Sequence, residues 1–132
     1  MINHRKKDYF QRILEEFFMR LNKLINRDSD SDTETSRTLL NDCFTFFKEN
    51  FEVERSDSRE EIIDKIKYQE LIEQYARLLY TEYTILDIKY KENLFDALYL
   101  IEFLQRADSD YSWDRTILRE DILRVIEQNT KD

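Results

Sequence analysis

The sequence predicts an all-α fold of about six helices, and two observations lead to this prediction. First, the chain has 132 residues but contains no glycine and no proline, where average usage would give about 9 and about 7. Tight β-hairpin turns depend on residues at positive φ, mostly glycine, and sandwiches and barrels need many such turns. Second, apolar residues recur at about 100° per residue, the helical period, through most of the chain. We therefore expect one all-helical domain covering residues 1–132.

Six segments carry this helical period. In the first, apolar residues from Phe10 to Ile25 share one face, while charged residues such as Glu15 and Lys23 lie on the opposite one. The predicted helices are residues 7–26, 33–51, 59–67, 68–89, 92–107 and 112–128. Between the third and the fourth, the pattern fits either a break near Lys67 or one continuous helix, and we favour the break.

Capping signals mark several of these boundaries. Ser31 with Glu34, and Ser58 with Glu61, have the spacing of a capping box. Ser112 stands before the last apolar series and is expected to cap the sixth helix. The first helix is expected to stop at Asn26, because asparagine tolerates the left-handed conformation that glycine usually supplies.

Predicted helices four and five are apolar on more than one side. In helix four, Ile72 and Leu79 share a face, whereas Ile85 points elsewhere. Only a few residues join the two helices, so they should lie antiparallel as a helical hairpin. Their two-sided character places this hairpin between helices one to three and helix six. The prediction is thus a helical bundle, or a right-handed superhelix-like packing, around a central antiparallel pair.

Composition and charge disfavour several classes of function. Gly-rich phosphate-binding loops need glycine where the backbone approaches phosphate, so none can be present here. The net charge of −8 disfavours nucleic acid or an anionic membrane as a partner. The longest apolar run, residues 97–101, is far shorter than the roughly 20 residues of a membrane span. A charged N-terminus without a signal-like apolar region, and a single Cys43, favour a cytoplasmic location.

Residues for metal binding or catalysis are sparse. Asp28, Asp30 and Asp32 match the first ligand positions of a calcium loop, but the turn glycine and the final glutamate are missing. His4 is the only histidine, which excludes multi-histidine zinc sites and leaves a nucleophile without a base. Cys43 falls on the apolar face of the second helix and is interpreted as a buried hydrophobe. We therefore predict no enzyme activity, no catalytic residue, no metal site and no cofactor.

Tyrosines and one glutamate are the candidates for binding. Seven of the eight tyrosines lie between Tyr68 and Tyr111, and tyrosine is enriched at interaction hot spots. Glu82 falls on the same face of helix four as Tyr75, so it either lines a cavity or pairs with a basic side chain. The candidate partner-binding residues on or near helix four are Tyr68, Tyr75, Tyr80, Glu82, Tyr83 and Tyr90. On helix five they are Phe95, Tyr99 and Phe103, unless helix six covers them. Core packing is the alternative interpretation for the tyrosines.

The central pair resembles a tetratricopeptide-type helix pair. The resemblance rests on Ala76 and Leu79 in one helix and Ala97, Ile101 and Leu104 in the other. The two alanines stand 21 residues apart and the pattern occurs once, so the resemblance concerns one pair and no repeat array.

The segments 8–15 and 112–115 resemble the first and last helices of a family of small bacterial helical proteins that have such a pair between them. This resemblance implies a bacterial, cytoplasmic, all-helical protein, and it implies no activity and no site residues.

Three hypotheses for function follow. The first is a non-enzymatic protein–protein interaction module, tetratricopeptide-like, that holds a protein or peptide partner, with basic segments in the partner favoured by the negative charge. The second is a structural or regulatory homodimer that buries an apolar helix face between copies. The third is a small-molecule-binding helical bundle, which would depend on Glu82 and the tyrosines.

Overall fold

The structure is a computed structural model that describes residues 2–27, 32–108 and 112–130, with side chains described from residue 8 to residue 129 of these ranges. The described residues form six helices and no strand. They are α1 (Ile2–Ile25), α2 (Thr33–Phe51), α3 (Arg59–Ile66), α4 (Gln69–Ile85), α5 (Lys91–Ala107) and α6 (Trp113–Thr130). The predicted all-α fold is confirmed, and each helix packs against its neighbours as in a bundle.

Several helix boundaries differ from the prediction, and one of them is the end of α4. The predicted helix 68–89 runs only from Gln69 to Ile85. The apolar pattern continues through Ile88, but the Lys89 Nζ donates hydrogen bonds to the backbone carbonyls of Tyr83, at 2.7 Å, and Thr84, at 3.2 Å. Lys89 thus satisfies two carbonyls that would accept hydrogen bonds from backbone N–H groups if the helix continued for another turn.

Differences also occur at other helix ends. Predicted helix 7–26 begins five residues earlier, at Ile2, because nothing in its charged first residues interrupts a helix, and it ends at Ile25. Predicted helix 59–67 ends at Ile66, 92–107 begins at Lys91, and 112–128 runs from Trp113 to Thr130. Apart from the start of α1, these boundaries lie within one or two residues of the prediction, as is usual at helix ends, which fray.

Two of the three predicted caps are present. The Ser58 Oγ accepts from the Glu61 backbone N–H and the Glu61 carboxylate accepts from the Ser58 N–H, both at 3.2 Å. Ser112 likewise accepts from the Arg115 N–H at 3.2 Å. The cap of α2 is Asp32, whose carboxylate accepts from the Thr35 N–H at 2.8 Å, so the prediction of Ser31 was wrong. This hydrogen bond lowers the pKa of Asp32, because it stabilises the charged carboxylate.

Two non-glycine residues end helices in the left-handed half of the backbone map. Glu52 follows α2 with φ 59° and ψ 30°, and Lys67 follows α3 with φ 68°. Lys67 separates α3 from α4, so the favoured break between these helices is present. Asn26 does not have positive φ, contrary to its predicted role. A chain without glycine thus places large side chains where glycine would be less strained.

We expect Glu52→Gly to stabilise the protein. Glycine removes the clash between Cβ and the backbone at φ 59°, and the gain exceeds the entropy that glycine adds to the unfolded chain. The free energy of unfolding should rise by about 0.5–1 kcal/mol, which raises Tm by about 3 °C. Differential scanning calorimetry measures this shift. Glu60→Gly, at an exposed position inside α3, is the matched control and should lower Tm; a fall in both variants would contradict the proposed strain.

The core lies between α2 and the central α4–α5 pair. The fully buried Phe47 ring has its centroid 5.1 Å from that of Phe17 in α1 and 4.9 Å from that of Tyr75 in α4. Ala76 and Ala97 are both fully buried in the α4–α5 pair. On the far side, α6 packs against α5 and α4. The predicted position of the hairpin between the early helices and α6 is therefore confirmed.

Cys43 belongs to this core. Its side chain is fully buried on α2, and burial raises the pKa of its thiol to about 11. A protonated, enclosed thiol is a poor nucleophile and packs as a small apolar group.

Candidate interaction groove

Two of the candidate tyrosines are part of the folded interior. Tyr75 is 2% exposed and contacts the Phe44 and Phe47 rings, and its burial raises the pKa of the phenol to about 12. Tyr83 is also buried, and its hydroxyl accepts a hydrogen bond from the Asn129 side chain of α6. Their aromatic rings are therefore buried by packing within this chain.

The other tyrosines do not form one continuous surface with them. Tyr68 stands just before α4, where its ring packs 4.7 Å from that of Phe10. Tyr80 is partly buried, and burial raises the pKa of its phenol. Tyr90 is exposed but lies beyond the end of α4, immediately before α5. The sequence spaces Tyr68, Tyr75, Tyr83 and Tyr90 seven or eight residues apart, as on one side of a helix, but they do not share one helix face, because α4 ends before Tyr90.

Glu82 is buried and pairs with basic and amide groups. Arg55, from the segment between α2 and α3, donates to both of its carboxylate oxygens, at 2.6 and 3.0 Å. Asn93 of α5 donates to the same carboxylate at 2.7 Å. The Arg55 guanidinium also lies 3.6 Å from the centre of the Phe44 ring. Of the two interpretations of Glu82, the structure shows the ion pair, which holds the α2–α3 segment against the central helices.

The Phe95, Tyr99 and Phe103 side chains of α5 meet different surroundings. Phe95 is half exposed and lines a hollow of about 90 Å³ with Ile126 of α6. The Arg59 guanidinium lies over the Tyr99 ring, 4.5 Å from the centre of that ring. Phe103 is partly buried against the core. These three residues therefore do not present one open stripe to a partner.

A different surface combines apolar side chains with a concave shape. A groove of about 410 Å³ lies between α1 and α6, with α4 at its base. We call it the α1–α4–α6 groove; it is lined by Phe18, Leu21, Asn22, Ile25, Gln74, Arg77, Asp114 and Ile117. The helical period explains the α1 wall, because residues 21 and 22 lie three and four positions after residue 18, and residue 25 lies four and three positions after them, which places all four on one side of the helix.

The walls of this groove expose large apolar side chains. Phe18 is 37% exposed, Ile25 is 58% exposed, and Ile117 on the facing wall is 49% exposed. A lone exposed apolar residue is ordinary, but several around one concavity are typical of an interaction site.

The base of the groove is polar. Gln74 has its side-chain Oε1 buried without a hydrogen-bond partner among the described residues. Arg77, one turn further along α4, has an ion-pair contact to Glu73 at 4.0 Å. The Glu73 carboxylate is held more closely by Arg115 of α6, at 2.8 Å. The Gln74 oxygen is enclosed, so the group with unused hydrogen-bonding capacity that α4 exposes to the groove is the Arg77 guanidinium, whose side chain is 33% exposed.

A second concavity, of about 560 Å³, lies between α2 and the segment that follows it. Its apolar lining residues Phe44, Val53 and Tyr75 are already buried, and the accessible rim is polar, with Thr45 and Lys48 exposed. None of its lining residues is a large exposed hydrophobic, whereas the α1–α4–α6 groove has three, so this larger concavity is the weaker candidate.

No family model, curated protein or solved structure matches this chain. Among the described side chains, no group of three or more His, Cys, Asp or Glu residues is placed to hold a metal ion. Asp28 and Asp30 of the acidic run, Asp110 and the His4 side chain lie outside the described residues. In the described part of the chain, no helix is both long enough and apolar enough to cross a membrane. The candidate site is therefore identified from the geometry of this chain alone.

The groove was not predicted from the sequence, because the apolar residues that line it were interpreted as core residues. Phe18 and Ile25 fall in the broad apolar stripe of the first helix, beside the buried Phe17 and Leu24. The width of that apolar stripe was the signal in the sequence that could have indicated an uncovered face. α1 packs mainly against α2, and one neighbouring helix covers only part of so wide a face.

Proposed function

We propose that this protein is a non-enzymatic protein-interaction module that holds an α-helix of a partner protein in the α1–α4–α6 groove. The observation that supports the proposal is the concavity whose two walls expose Phe18, Ile25 and Ile117. The α4 helix of the tetratricopeptide-like pair provides its base. The buried single Cys43 supports a reducing compartment such as the cytoplasm.

The groove suits a helix better than an extended peptide. Phe18 and Ile25 are seven residues apart, which is about 10.5 Å along α1 at 1.5 Å per residue. A partner helix that lies beside α1 repeats its own apolar side chains at the same interval, as in other helix-in-groove complexes. An added strand would need an exposed sheet edge, and the described residues contain no strand.

Charge favours a different protein over a second copy as the occupant. The chain carries a net charge of −8, so two copies repel each other, whereas a partner with basic segments is attracted and steered toward the protein. On the wall of the groove, Asp114 is exposed and adds to this negative field. The proposed partner is therefore an amphipathic helix with basic residues on its outer face.

A labelled peptide tests the proposal. The probe is an 18-residue helix with leucines on one face and lysines on the other, measured by fluorescence anisotropy at 150 mM salt. We expect Ile117→Ser to weaken binding about tenfold, because a central apolar contact contributes about 1.4 kcal/mol or more. Ile88→Ser, at a 62% exposed position outside the groove, is the matched control and should bind like the unmodified protein.

Two results would contradict the proposal. One is equal binding of a scrambled peptide of the same composition, which would show charge attraction alone. The other is sedimentation at the mass of a dimer that Ile117→Ser converts to a monomer, which would replace the partner helix with a second copy.

A further inference from the structure

Arg77 is the cationic residue at the base of the α1–α4–α6 groove, and what we infer for it rests on the proposed function. The Arg77 side chain is 33% exposed, and its ion-pair distance to Glu73 is 4.0 Å. A guanidinium has five N–H donors in a planar fork. One long contact leaves most of those donors available to a ligand in the groove.

Glu73 is not free to satisfy Arg77 more closely. Its Oε1 accepts a hydrogen bond from the Arg115 Nε at 2.8 Å, and both side chains are nearly buried, at 12% and 7% exposed. Moving Glu73 toward Arg77 would break this short pair inside the protein, which is costly at low exposure. Arg77, whose side chain is partly exposed, is therefore the member of the cluster that can pair with a group outside the chain.

One neighbour restricts what that partner can be. Asp114 stands on the α6 wall of the same groove. A doubly charged phosphate would meet repulsion from Asp114, whereas a single carboxylate placed on the α4 side pairs with Arg77 at a smaller repulsive cost.

We propose that the partner helix carries an aspartate or glutamate within its apolar face, and that this carboxylate pairs with Arg77. Arg–carboxylate pairs are often bidentate and fix geometry as well as adding affinity. The apolar walls then supply the burial, and Arg77 sets the register of the helix in the groove. A helix with an unbroken apolar face binds more weakly, because it covers the guanidinium without pairing it.

The test compares peptides that differ in one side chain. Four versions of the 18-residue probe carry glutamate at successive positions of the leucine face, and four matched versions carry glutamine there. For at least one position, we expect the glutamate peptide to bind the unmodified protein about tenfold more tightly than its glutamine counterpart. Arg77→Met should abolish this preference, whereas Arg106→Met, at an exposed position in α5 outside the groove lining, should preserve it.

The outcomes separate this inference from the proposed function. If the peptides bind in an Ile117-dependent manner but glutamate and glutamine are equivalent at all four positions, the role of Arg77 is wrong and the groove remains a helix site. If no peptide binds, the proposed function fails and the inference falls with it. The comparison on the unmodified protein needs no variant, so a folding defect in Arg77→Met does not obscure the result.

Discussion

Phe47→Ala is expected to lower the free energy of unfolding by about 4 kcal/mol, within the range of about 3–5 kcal/mol for truncating a buried aromatic side chain. The Phe47 side chain is fully buried, and its ring centroid lies about 5 Å from those of Phe17, Phe46 and Tyr75. Truncation removes contacts to α1, α2 and α4 at once and leaves a cavity that three helices border. Urea unfolding followed by circular dichroism measures the change, with the slope m expected to stay constant.

The matched control for this prediction is Phe95→Ala. Phe95 is 49% exposed on α5, so the same truncation removes less buried area and should cost no more than about 1 kcal/mol. Equal losses in the two variants would contradict the placement of the core between α2 and α4. A changed slope m would instead indicate that truncation altered the unfolded or native ensemble.

Local sequence signals predicted the helices well, and the clearest failure lies where a side chain bonds backbone carbonyls at a helix end. The range of α2 was predicted to the residue, and the Ser58 capping box is formed as expected. The end of α4 was missed, because it depends on Lys89 reaching back to carbonyls of the helix. No glycine or proline marks this turn, so the apolar pattern had no visible stop.

The candidate site was harder to predict than the fold. Apolar periodicity shows that a residue lies on a helix face, but not which neighbouring helix covers that face. Phe17 and Phe18 are adjacent in sequence, yet the first is fully buried and the second lines the groove. Glu82 was correctly placed on an inward face, but its partner Arg55 lies 27 residues away. Pairings of this kind depend on the packing of whole helices.

The ion pair between Glu73 and Arg115 gives the second large expected effect. The two residues are 42 positions apart, and their 2.8 Å contact joins α4 to the first turn of α6. Removing one member of a buried pair leaves the other charge without compensation, which costs about 3–5 kcal/mol. Arg115→Met should therefore destabilise the protein by about 3 kcal/mol, since Glu73 keeps only its 4.0 Å contact to Arg77.

Glu73→Leu should destabilise the protein less than Arg115→Met does, because the surroundings of the two charges differ. In Glu73→Leu, the Arg115 guanidinium retains Asp108 at 3.5 Å, so less charge is left unpaired. The double variant Glu73→Leu/Arg115→Met buries no charge at this position and should be more stable than Arg115→Met alone. A double-mutant cycle from urea unfolding tests this order. Additive losses in the cycle would show that the pair has no coupling, and would leave the Tyr83–Asn129 hydrogen bond and the buried Leu118 and Ile122 side chains to hold α6 in place.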